Sequence, residues 1–165
     1  MMGTDRSPIH PEWVTGFVDG EGCFSVGLSK NVKLKLGIEV RPSFSVSQGS
    51  ASKQVMEELA AYFNHGSEQL RVDRYTLKYE SRSAEHLRKV ICPHFDSYPL
   101  RSQKVVDFLI LKRVLDMMSK GEHRTGERLK DIVTIVYKMN LDPNSKSRRQ
   151  HPIEYWLSIL DRDAL

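Results

Sequence analysis

The chain is poor in cysteine. Its 165 residues include only Cys23 and Cys92. Two are too few for a disulfide scaffold, and they lack the C-x-x-C spacing of a zinc site. A reducing, intracellular setting is therefore expected, with both thiols buried or half-buried and neither catalytic. No apolar run approaches the ~18 residues of a membrane span. The opening stretch, MMGTDRSPIHPEW, has no apolar core and no small-residue cleavage site, so it is not expected to be a secretory signal. The six histidines show no H-E-x-x-H or H-N-H arrangement and read as solvated or helix-end residues. The serines have no G-x-S-x-G context. Low-complexity tracts and interdomain linkers are missing too.

What is present suits one folded domain over 1–165, with a core about 10–120 and a helical extension about 121–165. Apolar residues make up 39% and charged residues 28%, enough for a packed core and a solvated surface. Lys and Arg number 25 against 21 Asp and Glu, a net charge of +4, with a pI near 9.1. That balance permits a nucleic-acid partner without requiring one.

Periodicity sets the order of elements. From His10 to Gly22, the residues Trp13, Val14, Phe17 and Val18 recur at helical spacing. Pro11 suits a first helical position, and Gly22 reads as a left-handed stop. Cys23 to Gln48 reads as a hairpin: Phe24, Val26 and Leu28, then Ile38, Val40, Phe44 and Val46, alternate with polar residues. Pro42 inside the second limb predicts an edge position or a bulge. A helix over Ser50–Asn64, a hairpin around Leu70–Glu80 and a short helix over Ala84–Ile91, stopped by Pro93, follow. Helices over about Ser102–Met118, Glu127–Met139 and Ile153–Leu160 complete the chain. The pattern is α+β, an antiparallel sheet with helices on one face.

The other face of the first hairpin is serine-rich and mildly basic. Cys23 to Gln48 holds four basic residues and one acidic. Such a face can hydrogen-bond to base edges and phosphates, and β-ribbons enter the DNA major groove.

One segment carries a sharper signal. Trp13-Val-Thr-Gly-Phe-Val-Asp-Gly-Glu-Gly22 resembles the LAGLIDADG motif of homing endonucleases, and an alternating hairpin follows it. Tyr98-Pro-Leu-Arg-Ser-Gln-Lys104 is similar to that family's basic segment. The resemblance implies an αββαββα core with an antiparallel saddle-shaped sheet, helices on one face and extra C-terminal helices. It also implies a site-specific double-strand DNA endonuclease, leaving short 3′ overhangs and encoded in a mobile intron. Rival readings on the same fold are an RNA maturase aiding group I intron splicing and a non-catalytic DNA-binding regulator.

Gly16 and Gly20 lie one helical turn apart, where glycine lets another backbone approach closely. In the family two such helices pack together. Trp13, Gly16, Phe17, Asp19 and Gly20 are thus the expected interface of a homodimer, since one motif supplies one carboxylate. Glu21 and the Gly20 carbonyl are the expected metal ligands, hard oxygens suited to Mg²⁺, with Mn²⁺ or Ca²⁺ as substitutes. Glu21, Gln48 and Lys104 are the expected catalytic residues. Gln48 would act near the attacking water and Lys104 on the phosphate charge, a role for which Arg101 competes. Asp19 would act as a helix cap.

Side-chain parity then picks out base-reading candidates: Ser25, Ser29, Asn31, Glu39, Arg41, Ser43 and Ser45. The second hairpin adds Gln69, Arg71, Asp73, Thr76 and Lys78. Lys30, Lys33, Lys35 and the loop residues Lys146, Arg148 and Arg149 are expected on phosphates. A strand of ~10 residues spans ~34 Å, close to one turn of B-DNA, so two copies would read a long, roughly palindromic site. The expected partners are double-stranded DNA and a second copy, with intron RNA admitted and no membrane. The expected location is with the host DNA, in a bacterial or archaeal cytoplasm or an organelle.

Overall fold

The computed structural model describes residues 7–64, 69–141 and 149–162. Helix α1 (Pro11–Glu21) leads directly into β1 (Gly22–Lys30), which turns back as β2 (Ile38–Gly49). Helix α2 (Lys53–Tyr62), β3 (Leu70–Asp73) and β4 (Thr76–Ser81) follow. A continuous helical stretch comes next: α3 (Ala84–His86), a π turn (Leu87–Ile91) and α4 (Cys92–Ser97). Helices α5 (Lys104–Ser119), α6 (Gly126–Val136) and α7 (Ile153–Arg162) complete the described chain. The strands form one antiparallel sheet in the order β1-β2-β4-β3, as the αββαββα reading requires.

Alternation built this sheet. Phe24, Val26, Ile38, Val40, Phe44, Val46, Leu77 and Tyr79 are buried on one face. Against them pack Val14 and Val18 of α1, Met56 and Leu59 of α2, Phe95 of α4, and Phe108 and Leu111 of α5. Phe44 is the hub, with ring centroids 5.1 Å from Phe24, 5.6 Å from Phe63 and 5.8 Å from Phe95. Each such pair adds about 0.5–1.5 kcal/mol beyond burial.

Pro42 makes no bulge. The β1–β2 register runs unbroken from Gly22↔Val46 to Lys30↔Ile38, with Pro42 opposite Val26. Strand β4 pairs with β2 only from Phe44 onward, so β2 is an edge at Pro42. The edge expectation therefore holds, and parity does not shift.

Three local expectations are corrected. Gly22 ends α1 in an extended conformation, φ −81° and ψ 160°, not a left-handed one. Glycine is needed for space instead: a Cβ there would lie 2.5 Å from Val18 Cγ1 and 2.7 Å from Val18 O. Pro93 does not stop its helix, which runs on to Ser97. The π turn before it, closed by the Cys92 N–H on Leu87 O, widens the backbone where a proline would otherwise clash. His94 stands in the last turn of α4, a helix-end position, but it is not solvated. It is 8% exposed and joins three helical segments: its Nε2 lies 3.0 Å from Thr15 Oγ1 and its Nδ1 2.9 Å from Tyr62 Oη. Thr15 donates to Tyr98 O at 2.9 Å, so its oxygen accepts from His94 Nε2–H. Burial pushes the His94 imidazole down to about 4.

The free side of β1 is covered from the C-terminal end of the chain. Asn140 Nδ2 donates to Phe24 O at 3.0 Å. Arg149 donates to Val26 O at 3.2 Å and to Val136 O at 2.6 Å, with its guanidinium 4.8 Å from the Tyr137 ring centroid. Among the described residues, no helix is long and apolar enough to cross a membrane.

Candidate functional site

Helix α1 has two faces. Val14, Thr15 and Val18 are buried. Trp13, Gly16, Gly20 and Glu21 are exposed, and Phe17 is half-buried. Trp13 stacks on Phe17 at 4.9 Å and remains 45% exposed. No atom lies within 4 Å of a Cβ placed on Gly16 or Gly20. A large aromatic beside two bare glycines gives an open, apolar stripe of helix.

The stripe ends at a cluster of oxygens. Lys104 Nζ donates to Asp19 O at 2.6 Å and Gly20 O at 3.0 Å. A cation at a helix C-terminus complements the helix dipole. The Asp19 carboxylate accepts from the Arg101 N–H at 2.8 Å and the Ser102 N–H at 3.1 Å. Lys104 of α5 thus caps α1, while Asp19 of α1 holds the Arg101–Ser102 segment just ahead of α5. Burial raises the Asp19 carboxyl, but hydrogen bonds from Ser102 and Arg101 and the charge of Lys104 outweigh it, so Asp19 titrates below its ordinary value. Lys104, rather than the exposed Arg101, holds the α1 terminus.

Glu21 is the last residue of α1, exposed and without a described partner. Gln48, half-buried, lies two residues beyond Val46, the partner of Gly22, so β2 carries it past the end of β1. Glu21, Gly20, Gln48 and Lys104 therefore gather at one end of the sheet. Among the described residues, no group of three or more His, Cys, Asp or Glu could hold a metal ion. With the Asp19 carboxylate bonded to the Arg101 and Ser102 N–H groups, one chain offers the Glu21 carboxylate and backbone carbonyls.

The open face carries the parity set. Ser25 pairs with Ser43, Ser29 with Glu39, Gly27 with Arg41, Arg71 with Lys78, and Asp73 with Thr76. Ser45 pairs with both Cys23 and Glu80. Glu39 accepts from Ser29 at 3.3 Å and Asn31 at 3.4 Å, and Asn31 orders the turn by accepting from the Lys33 N–H at 3.1 Å. Gln69 lies just before β3, half-buried. Lys30, Lys33 and Lys35 are exposed around the β1–β2 turn. Lys146 and Arg148 lie outside the described residues. Arg149 is corrected: its guanidinium is half-buried and bonded to backbone carbonyls, so it fastens structure rather than reaching a phosphate. Cys23 is corrected too, since its side chain is exposed on this face. Cys92 is buried, and burial pushes its thiol up to about 11, away from thiolate chemistry.

Parity, carried one step further, would also have found Ser47, Glu80 and Arg82. Glu80 is an acid 8% exposed, bridging Ser43, Lys78 and Arg82. The LAGLIDADG endonuclease family model matches residues 14–115, from α1 into α5. The chain belongs to this family. A probable intron-encoded endonuclease of Neurospora crassa is 30% identical over 126 residues, covering 76% of this chain and 28% of the relative. The crystal structure of the homing endonuclease I-TnaI superposes with a TM-score of 0.79 at 34% identity, covering 95% of this chain and 99% of that one. The meganuclease I-SmaMI, described as bound to uncleaved target DNA in the presence of calcium ions, superposes with a TM-score of 0.76 at 32% identity. That match covers 92% of this chain and 57% of the I-SmaMI chain. This LAGLIDADG chain spans between about a quarter and two fifths of the length of the first curated relatives it matches.

Proposed function

We propose that the chain is a divalent-metal-dependent, site-specific double-strand DNA endonuclease that acts as a two-fold homodimer. The observation that carries the reading is α1 itself. Its Trp13–Gly16–Phe17–Gly20 stripe has no cover, and it runs directly into an unpartnered Glu21 beside outward-facing carbonyls. A second α1 on that stripe brings two Glu21 carboxylates to one place. Coverage of 57% of the I-SmaMI chain supports one copy acting as half of such a unit.

The donor set fits a hard cation. The Asp19 and Gly20 carbonyls already accept an ammonium, and Glu21 adds a formal charge. Glu21 and the Gly20 carbonyl would hold Mg²⁺, with Mn²⁺ or Ca²⁺ as alternatives. When bound, the ion polarises the scissile phosphate and eases loss of a proton from water. Gln48 orients that water through its amide. Lys104 places positive charge where the phosphate gains negative charge. The open sheet face lies along the major groove and reads base edges, with Lys30, Lys33 and Lys35 on phosphates. Two copies double the charge to about +8. The protein would act where its target DNA is, and the short 3′ overhang is the product its family resemblance implies.

The test is incubation with a library of duplex sites in Mg²⁺, and in parallel in EDTA. Cleavage of one long, near-palindromic site in Mg²⁺ alone supports the reading. Absence of metal-dependent cleavage on every site sinks it.

A further inference from the structure

Lys78, Glu80 and Arg82 occupy alternate positions along β4 and its continuation, so all three face the open side of the sheet. Neighbours in this row lie ~7 Å apart. A carboxylate in the middle of a DNA-facing surface is unexpected, because it repels phosphate and weakens non-specific binding. This one is also nearly buried, with its side chain 8% exposed. Three contacts hold it: Oε1 takes the Ser43 hydroxyl at 3.2 Å and Lys78 Nζ at 3.0 Å, and Oε2 pairs with Arg82 Nη2 at 3.0 Å. So buried and engaged on both oxygens, Glu80 is placed to hold its neighbours rather than to accept from a base.

Its two cations differ from it. Lys78 is 40% exposed and Arg82 51%. A free surface arginine settles on a phosphate, a contact that carries no sequence information. An arginine tethered through one nitrogen keeps its remaining N–H donors in a fixed plane. That arrangement suits bidentate contact with the O6 and N7 atoms of guanine.

We propose that Glu80 is a positioning residue for sequence recognition, holding Arg82 and Lys78 in the pose that reads guanine. The inference rests on the DNA reading above. It also gives a location. Glu80 pairs with Ser45, and Ser45 pairs with Cys23, two residues after Glu21. The guanine therefore belongs to the inner base pairs of each half-site, beside the cut, rather than to the outer ones near the Asn31–Gly37 turn.

The experiment selects binders from a randomised duplex library, using wild type, Glu80→Gln and Arg82→Ala. Wild type is expected to select guanine at one inner position of each half-site. Glu80→Gln is expected to flatten that preference by about tenfold while leaving the outer positions unchanged, a pattern that general destabilisation cannot produce. Arg82→Ala alters only an exposed side chain and is expected to erase the same position. The inference is overturned if Glu80→Gln keeps the inner guanine, if Arg82→Ala keeps it, or if wild type shows none there. Should wild type select no sequence at all, the DNA reading itself fails, a result distinct from loss at one position.

Discussion

Lys104 Nζ lies 2.6 Å from the backbone oxygen of Asp19. Through that contact the first turn of α5 is tied to the last turn of α1, the turn that ends in Glu21. Position and charge therefore come from one side chain. Lys104→Met is expected to cost about 0.5–1 kcal/mol of stability and to slow cleavage about a hundredfold or more. DNA affinity should stay within about threefold of wild type. Single-turnover cleavage, gel shift and thermal melting read the three quantities separately.

Glu21→Gln keeps the shape of the side chain and removes its charge. The variant is expected to bind its target with near-native affinity and to leave both strands intact. Normal cutting by this variant would overturn the ligand assignment.

Gly22, just past α1, and Gly16, within it, are predicted to respond in opposite ways. Gly22→Ala forces a Cβ against Val18 backbone and side chain, at an expected cost of about 1–3 kcal/mol. Gly16→Ala meets nothing within 4 Å in the single chain and is expected to stabilise the monomer by about 0.5–1 kcal/mol. The same methyl group would hold two α1 helices apart. At concentrations where both proteins are monomeric the melting temperature should rise, and at higher concentrations sedimentation should shift toward monomer. A Gly16→Ala dimer as tight as wild type would show that the stripe is not the contact.

His94 predicts an acid dependence. Its folded value is about 4 against an ordinary 6.5, so between these pH values the unfolded chain binds the extra proton. Stability from this group is complete above pH 6.5, falls as the pH drops, and is exhausted below about 4. The total is on the order of 3 kcal/mol. Urea titrations at stepped pH values measure the slope. His94→Leu should flatten it while lowering stability at neutral pH.

Arg149 and Lys33 separate fastening from binding. Arg149→Ala removes donors to Val26 O and Val136 O and is expected to cost about 2 kcal/mol, with the salt dependence of DNA binding unchanged. Lys33→Ala should leave stability alone and lower the salt slope by about 1.

Much of this was legible because it is periodic. A period of two set the buried face of β1 and β2 residue by residue, and Pro42 did not disturb it, since β4 does not reach that part of β2 and no second strand needs its missing N–H. The motif gave α1, its bare glycines and Glu21. Other features depend on contacts distant in sequence and left no local trace. Arg149 sits in a basic run that resembles a phosphate loop, yet its partners lie in β1 and at the end of α6. His94 is one histidine among several until Thr15 and Tyr62 are folded against it. Pro93 looked like a stop because the π turn that accommodates it has no sequence signature. Glu80 was visible in the alternation, but its three-way bridging required the sheet pairing.

The bonds from Asn140 and Arg149 to Phe24 O and Val26 O bear on how the molecule assembles. Without them β1 would present a row of vacant carbonyls, a template on which any passing strand could polymerise. By occupying that template from within the same chain, residues after α6 close the route to open-ended fibres. The uncovered stripe of α1 is then the surface on which the proposed second copy would pack, and a contact between like helices about a two-fold axis stops at two.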